Sequence, residues 1–176
     1  MISTDPQDEI MLMDASKSNE LCSMEFDWSC SSSGLGVGVV LIPPHGKVIP
    51  YSFKLEFQNT NNTVEYEALL LGLAEEKRLQ IKMLEVGGDA ELIVKQVRGL
   101  FVDKNERLRH YRNHVWDEIE AFDAFSIEAI PREFNSKADS LAVSVALLVP
   151  HPDFTTDTYR VELVYRPSVP NNYESW

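Results

Sequence analysis

The stretch TNNTVEYEALLLGLAEEKRLQ, residues 60–80, decides how the rest of the chain is read. Ala68, Leu69, Leu71, Leu73 and Ala74 recur at helical spacing and predict a helix over residues 63–79 with one buried side. Asn62 followed three residues later by Glu65 fits a capping box, in which the carboxylate satisfies an orphan backbone N–H and favours the positive end of the helix dipole. Judged singly, Glu65 needs no function.

Working outward, CSMEFDWS supplies a short strand ending at Asp27, SSSG a turn, and LGVGVVLIPP an apolar strand closed by Pro43 and Pro44. KVIPYSFKLEFQ alternates Ile49, Tyr51, Phe53, Leu55 and Phe57 with polar positions and Pro50, the period of a strand with one buried face. Pro50 places that strand early or at an edge. Beyond the helix, MLEVGG reads as a fourth strand, and Asp89 opens a short helix, AELIVKQVRG, ended by Gly99. Leu108, Tyr111, Val115, Ile119 and Phe122 mark a longer helix, with His110 and His114 off its apolar stripe and read as surface residues. FSIEAI is a fifth strand, and NSKADSLAVSVALL a closing helix capped by Asn135 or Ser136. The expected fold class is α/β, a five-stranded mixed sheet flanked by helices, parallel wherever a helix crosses over between strands.

Residues 1–20 read as an acidic flexible leader, 21–149 as the folded domain and 150–176 as an extended C-terminal tail. In the tail Val161, Leu163 and Tyr165 alternate, but the surrounding prolines argue against a further central strand. A length of 176 residues with 44% hydrophobic content fits one globular domain. The start lacks the pattern of a signal peptide, and nowhere is there the run of ~20 apolar residues that a membrane span needs, so an intracellular, soluble protein without membrane partners is expected. Cys22 and Cys30 make neither a disulfide framework nor a zinc motif.

The formal net charge is -12, which argues against nucleic-acid binding if the charge is evenly spread. It is not evenly spread. Residues 1–27 carry a balance of -6, whereas residues 95–112 carry +4 from Lys95, Arg98, Lys104, Arg107, Arg109 and Arg112 against Asp103 and Glu106. A solvated helix face accounts for such a run as readily as a phosphate-binding patch does.

Four carboxylates occupy comparable places: Asp27 at the end of the first strand, Glu65 in a first helical turn, Asp89 beyond the fourth strand and Asp139 in the first turn of the last helix. Capping and turn formation account for each one separately. Together with TNNTVEYEALLLGL, LEVGGDAELIVKQVRG, IPREFNSKADSLA and, more loosely, MEFDWSCSSSGLGVGVVL, they resemble the type 1 ribonuclease H family. The likeness is greatest to the ribonuclease H-like domains of plant long-terminal-repeat retroelements, and it covers roughly residues 22–149.

The resemblance implies a ribonuclease H-like fold in which Asp27, Glu65, Asp89 and Asp139 converge and hold two Mg2+ ions, with Mn2+ as a substitute. Clustered carboxylates repel one another and raise each other's pKa unless a cation is bound, and an all-oxygen site suits a hard cation. The implied activity is cleavage of the RNA strand of RNA/DNA hybrids, one metal activating water and the other stabilising the leaving oxygen. Asn61, Asn62 and Gln96 become candidates for contact with the hybrid's minor groove, where 2'-hydroxyls mark the RNA strand. The basic segment becomes a candidate for phosphate contact. Implied partners are the hybrid itself and the reverse transcriptase and integrase modules of a polyprotein.

Two positions depart from the family. Gly commonly follows the first Asp, where this chain has Trp28, and a His commonly stands ten residues before the last Asp, where it has Ala129. These departures keep two alternatives open: a retroelement remnant that binds nucleic acid without cutting it, and a protein-interaction domain using the leader and tail. The presence of all four carboxylates favours the enzyme.

Overall fold

The computed structural model describes residues 20–147 and 161–170. Apart from Glu20, the expected leader lies outside the described residues. The chain runs through β1 (Leu21–Ser31), β2 (Gly34–Ile42), β3 (Ile49–Leu55), α1 (Asn61–Arg78), β4 (Met83–Gly88), α2 (Glu91–Val97), α3 (Glu106–Ile119), β5 (Ala124–Ala129), a 3-10 turn (Arg132–Asn135), α4 (Ser136–Ala146) and β6 (Glu162–Val164). The strands form one mixed sheet in the order β5-β4-β1-β2-β3-β6. β1, β2 and β3 make an antiparallel meander, while β4 lies parallel to β1 and β5 parallel to β4. The expected α/β architecture is therefore present, with one strand more than expected.

That strand is β6, which runs parallel to β3 by pairing with Phe53, Lys54 and Leu55. The alternation at Val161, Leu163 and Tyr165 is thus a strand signal. Pro167 and Pro170 fall beyond β6, where they cost no ladder bond. Residues 161–170 are bound to the domain rather than extended away from it. Val169 is buried, its carbonyl accepts from Arg107 Nη2 at 3.0 Å, and Ser168 donates to both oxygens of Glu67.

The two faces of the sheet are covered differently. α1 lies over Met24, Phe26, Val37, Val39 and Leu41, contributing Val64, Ala68, Leu69 and Leu73 to the main core. Its outer side packs on α3, where the Tyr66 and Tyr111 rings stack with centroids 5.6 Å apart. Being covered on two sides, α1 buries polar residues that a one-sided helix would expose, among them Glu67 and Glu76. On the opposite face α4 lies directly on the backbone of β2. A Cβ on Gly38 would stand 2.5 Å from the Ala138 carbonyl, and one on Gly36 would run into the backbone of Ala142 and Ala146. Glycines on the strand opposite alanines at helical spacing thus set the depth of α4, and with it the position of Asp139.

Candidate active site

The site stands where the parallel ladder between β1 and β4 ends. The last paired residues are Glu25 and Gly87, and β4 closes at Gly88. Asp27 follows two residues beyond that point, but it is not at the end of β1 as expected. β1 runs on to Ser31, because β2 continues to pair with it and places Gly38 opposite Asp27. Successive side chains alternate between faces, so Phe26 and Trp28 turn toward α1 while Asp27 turns toward α4.

Glu65 approaches from α1. It does not cap the helix as the capping-box reading expected. Thr60 is the N-cap, and its hydroxyl and that of Thr63 form the reciprocal pair. The helix therefore starts at Asn61, which puts Glu65 beyond the first turn, too far in to reach the orphan N–H groups. Its side chain turns to β1, where Oε1 accepts the Trp28 indole N–H at 2.7 Å. Glu65 Oε2 is buried and has no hydrogen-bond partner. Asp89 follows β4 directly and does not cap α2 either, since Ala90 holds the N-cap position without a side-chain bond.

One oxygen from each of Asp27, Glu65 and Asp89 lies within 4.8 Å of the others. Asp139, in the first turn of α4, is not in that trio, yet its charge and a side-chain hydrogen bond both act on Asp27. Burial pushes the Asp27 carboxyl up to about 7, opposed by the Trp28 backbone N–H and reinforced by the charges of Asp89 and Asp139. Burial likewise pushes Glu65 up to about 8, opposed by the Trp28 indole and reinforced by Asp27 and Asp89. Such a group of acids is poor for folding and suited to a bound cation. The orphan Glu65 oxygen and the absence of His or Cys from the trio fit a hard divalent ion.

Around the trio opens a cavity of about 620 Å3 lined by Asp27, Trp28, Ser29, Cys30, Glu65, Asp89, Ile130, Pro131 and Arg132. Trp28, which replaces the family's common Gly, lines the cavity beside Asp27. It packs against the core and donates to both Asp27 and Glu65. Sequence reasoning did not single out Arg132, the cation nearest in sequence to β5 that lines this cavity. It lies three residues past Ala129, at the start of the 3-10 turn, too short an element to carry a periodic signal.

Asn135 belongs to the site by a different route from the expected cap. It makes no side-chain cap bond; its Nδ2 donates to the Phe26 carbonyl at 3.0 Å, fastening the start of α4 to β1 one residue before Asp27.

The candidate nucleic-acid residues divide. Asn61 is exposed and Asn62 half-buried at the start of α1, and Lys95, Arg98 and Lys104 are exposed. Two expectations fail. Gln96 is buried between the Tyr66 hydroxyl, from which it accepts at 2.5 Å, and Asp103, to which it donates at 3.2 Å. Arg107 is buried over the Tyr111 ring and bonded to Val169 O. Arg109 and Arg112 are half-buried, the first donating to the carbonyls of Asp103 and Lys104, the second lying over the Trp116 ring. His110 and His114 line a separate cavity with Ser168 and Val169, so neither supplies the histidine missing at Ala129.

A three-stranded meander extended by parallel strands, with carboxylates gathered where the first and fourth strands part, defines the ribonuclease H-like class of α/β domain. The chain matches the reverse transcriptase-like family over residues 25–145 and belongs to that family, as a type 1 ribonuclease H domain. Ribonuclease HI of Halobacterium salinarum is 32% identical over 106 residues, covering 60% of this chain and 53% of that protein, so the chain spans about half the length of the curated relative it matches. The crystal structure of ribonuclease H1 from the same archaeon superposes with a TM-score of 0.65 at 28% identity, covering 70% of this chain and 98% of that one. The LC11 ribonuclease H1, isolated from compost and solved in complex with an RNA/DNA hybrid, gives a TM-score of 0.63 at 26% identity over 71% of this chain and 96% of that one. Among the described residues no helix is long and apolar enough to cross a membrane.

Proposed function

We propose that the domain is a divalent-metal-dependent endonuclease that cleaves the RNA strand of RNA/DNA hybrids. The observation that carries this reading is the trio Asp27, Glu65 and Asp89 within 4.8 Å in a cavity open to solvent, with Asp139 acting on Asp27 from α4. Asp27, Glu65, Asp89 and Asp139 would hold Mg2+, or Mn2+ in its place. When bound, the metal lowers the pKa of water and neutralises charge on the phosphodiester. The chain's own part is to keep four acids together against their repulsion and to leave one side of the cavity accessible. Arg132 offers a cation on the cavity wall where a phosphate would enter, and Asn61 and Asn62 stand at the exposed start of α1 for contact with the minor groove. The hybrid held by LC11 ribonuclease H1 supports this substrate class.

Ala129, exposed at the end of β5, offers no proton-transfer group. A positioned acid or base typically contributes roughly 10²- to 10⁴-fold, so slow turnover is expected. A retroelement origin, with reverse transcriptase and integrase modules as neighbours in a polyprotein, is supported by the family and by the motif resemblance. The test is incubation with a labelled RNA/DNA hybrid in Mg2+, in Mn2+ and with chelator. Metal-dependent cutting of the RNA strand, abolished in Asp89→Asn while hybrid binding persists, is expected. A wild-type protein that binds hybrid but never cuts it leaves the binding remnant as the answer.

A further inference from the structure

Trp28 stands beside Asp27, yet the carboxylate chemistry makes no direct use of an indole. Its geometry is specific. The backbone N–H of Trp28 donates to Asp27 Oδ1 at 2.8 Å, and its indole N–H donates to Glu65 Oε1 at 2.7 Å. One residue therefore restrains two of the three carboxylates that converge. The ring packs against the main core, so the indole is not free to swing away. The consequence falls on Glu65: with Oε1 engaged, Oε2 is left buried and unpartnered, on a carboxylate of which one oxygen lies within 4.8 Å of oxygens of Asp27 and Asp89.

We infer that Trp28 is a positioning residue, holding Glu65 by one oxygen so that the other is presented to a divalent cation. The inference rests on the functional reading of the carboxylates as metal ligands. A ligand carboxylate fixed by an outer hydrogen bond binds metal more tightly than one free to rotate, and removing such a partner typically weakens metal affinity roughly 10- to 100-fold. A residue without a side-chain donor at position 28 would leave Glu65 Oε1 unrestrained. The bulk beside Asp27 then has a purpose: the long, rigid indole spans from β1 to Glu65 on α1 and carries its single donor on the ring.

The test measures metal binding apart from catalysis. Mg2+ affinity is determined by titration calorimetry for the wild type and for Trp28→Phe, which keeps a packed ring and loses the N–H. In parallel, the Trp28 indole N–H resonance is followed in the 15N-labelled wild type, assigned from through-bond and through-space connectivities within the wild-type protein itself. A 10- to 100-fold weaker Mg2+ affinity in Trp28→Phe is expected, with the wild-type indole proton shifting on saturation while staying protected from solvent exchange. Equal affinities would overturn the inference. So would loss of protection as Mg2+ binds, because the indole would then compete with the metal for Glu65. The wild-type resonance decides the matter even if Trp28→Phe does not fold. A wild type that binds neither Mg2+ nor Mn2+ defeats the functional reading itself, and that outcome is distinct because no Trp28 variant enters into it.

Discussion

Asn135 Nδ2 donates to the carbonyl of Phe26 at 3.0 Å, so a residue at the start of α4 is joined to the strand position just before Asp27. This bond, with the glycine and alanine contact between β2 and α4, sets where Asp139 stands relative to Asp27. Asn135→Ala removes the bond and leaves the Phe26 carbonyl without that donor, at a cost of about 1–3 kcal/mol. The expected signature is a fall in metal-dependent hybrid cleavage, roughly 10-fold or more, larger than the stability change accounts for. Parallel thermal melts and single-turnover rates check it, and a rate that tracks stability alone would remove Asn135 from the site.

Stability should fall as pH rises, because of Glu76. Its side chain is fully buried, neither oxygen has a partner, and burial holds its pKa well above the ordinary 4.5. The folded state therefore keeps a proton that the unfolded chain releases above about pH 4.5, so stability declines from there upward. Glu76→Met keeps the volume and removes the carboxyl. Denaturant unfolding at pH 5 and pH 8 should show the variant more stable than the wild type at pH 8, with a shallower pH dependence.

Metal and protons compete at Asp27 and Glu65. Asp27 is raised from 3.8 to about 7 and Glu65 from 4.5 to about 8, so without metal each favours the folded state less as pH climbs from the ordinary value up to the raised one. Bound Mg2+ favours the charged forms. Mg2+ should accordingly raise the melting temperature more at pH 8 than at pH 5.5, and Asp27→Asn should abolish most of the difference. A Mg2+ shift independent of pH would place the ion elsewhere.

The C-terminal segment contributes to stability through Glu67. Tyr111 O–H donates to it at 2.6 Å, Ser168 N–H at 2.6 Å and Ser168 O–H at 2.7 Å. Glu67→Ala leaves these donors without their acceptor inside the packing of α1, α3 and residues 161–170. A destabilisation of about 2–4 kcal/mol is expected in urea unfolding, and deletion of residues 161–176 should lower stability in the same direction. An unaffected midpoint in both would show that the segment is dispensable.

Hybrid binding should depend on the exposed bases and not on Arg107. Arg98→Ala with Lys104→Ala is expected to weaken affinity and to reduce the log-log salt slope by roughly 0.7–0.9 for each phosphate that is no longer neutralised. Arg107→Ala should act on stability instead, since that side chain is buried against Tyr111 and Val169. Salt titrations of binding alongside melts separate the two.

Local pattern was enough to locate most of the elements and to place Asp27, Glu65, Asp89 and Asp139 on or beside them, because helix and strand periods and turn residues act over a few neighbours, whereas the resemblance to a family suggested that the four act together. The spacing of apolar residues places the start of α1 within two residues of where it lies, and LEVGGD correctly places Asp89 after a strand. What sequence alone did not determine depended on partners far along the chain. Thr60 takes the cap that Asn62 was expected to hold, leaving Glu65 to be held by Trp28, 37 residues away. β1 extends past Asp27 because β2 continues to pair with it, and residues 162–164 become a strand because β3 offers an edge. Gln96 and Arg107 look like surface donors in the sequence, but α1, α3 and the C-terminal segment close over them. Residue type and spacing record which chemistry a chain can carry. Burial and hydrogen-bond pairing depend on long-range packing, and they decide which side chains are left free to carry it.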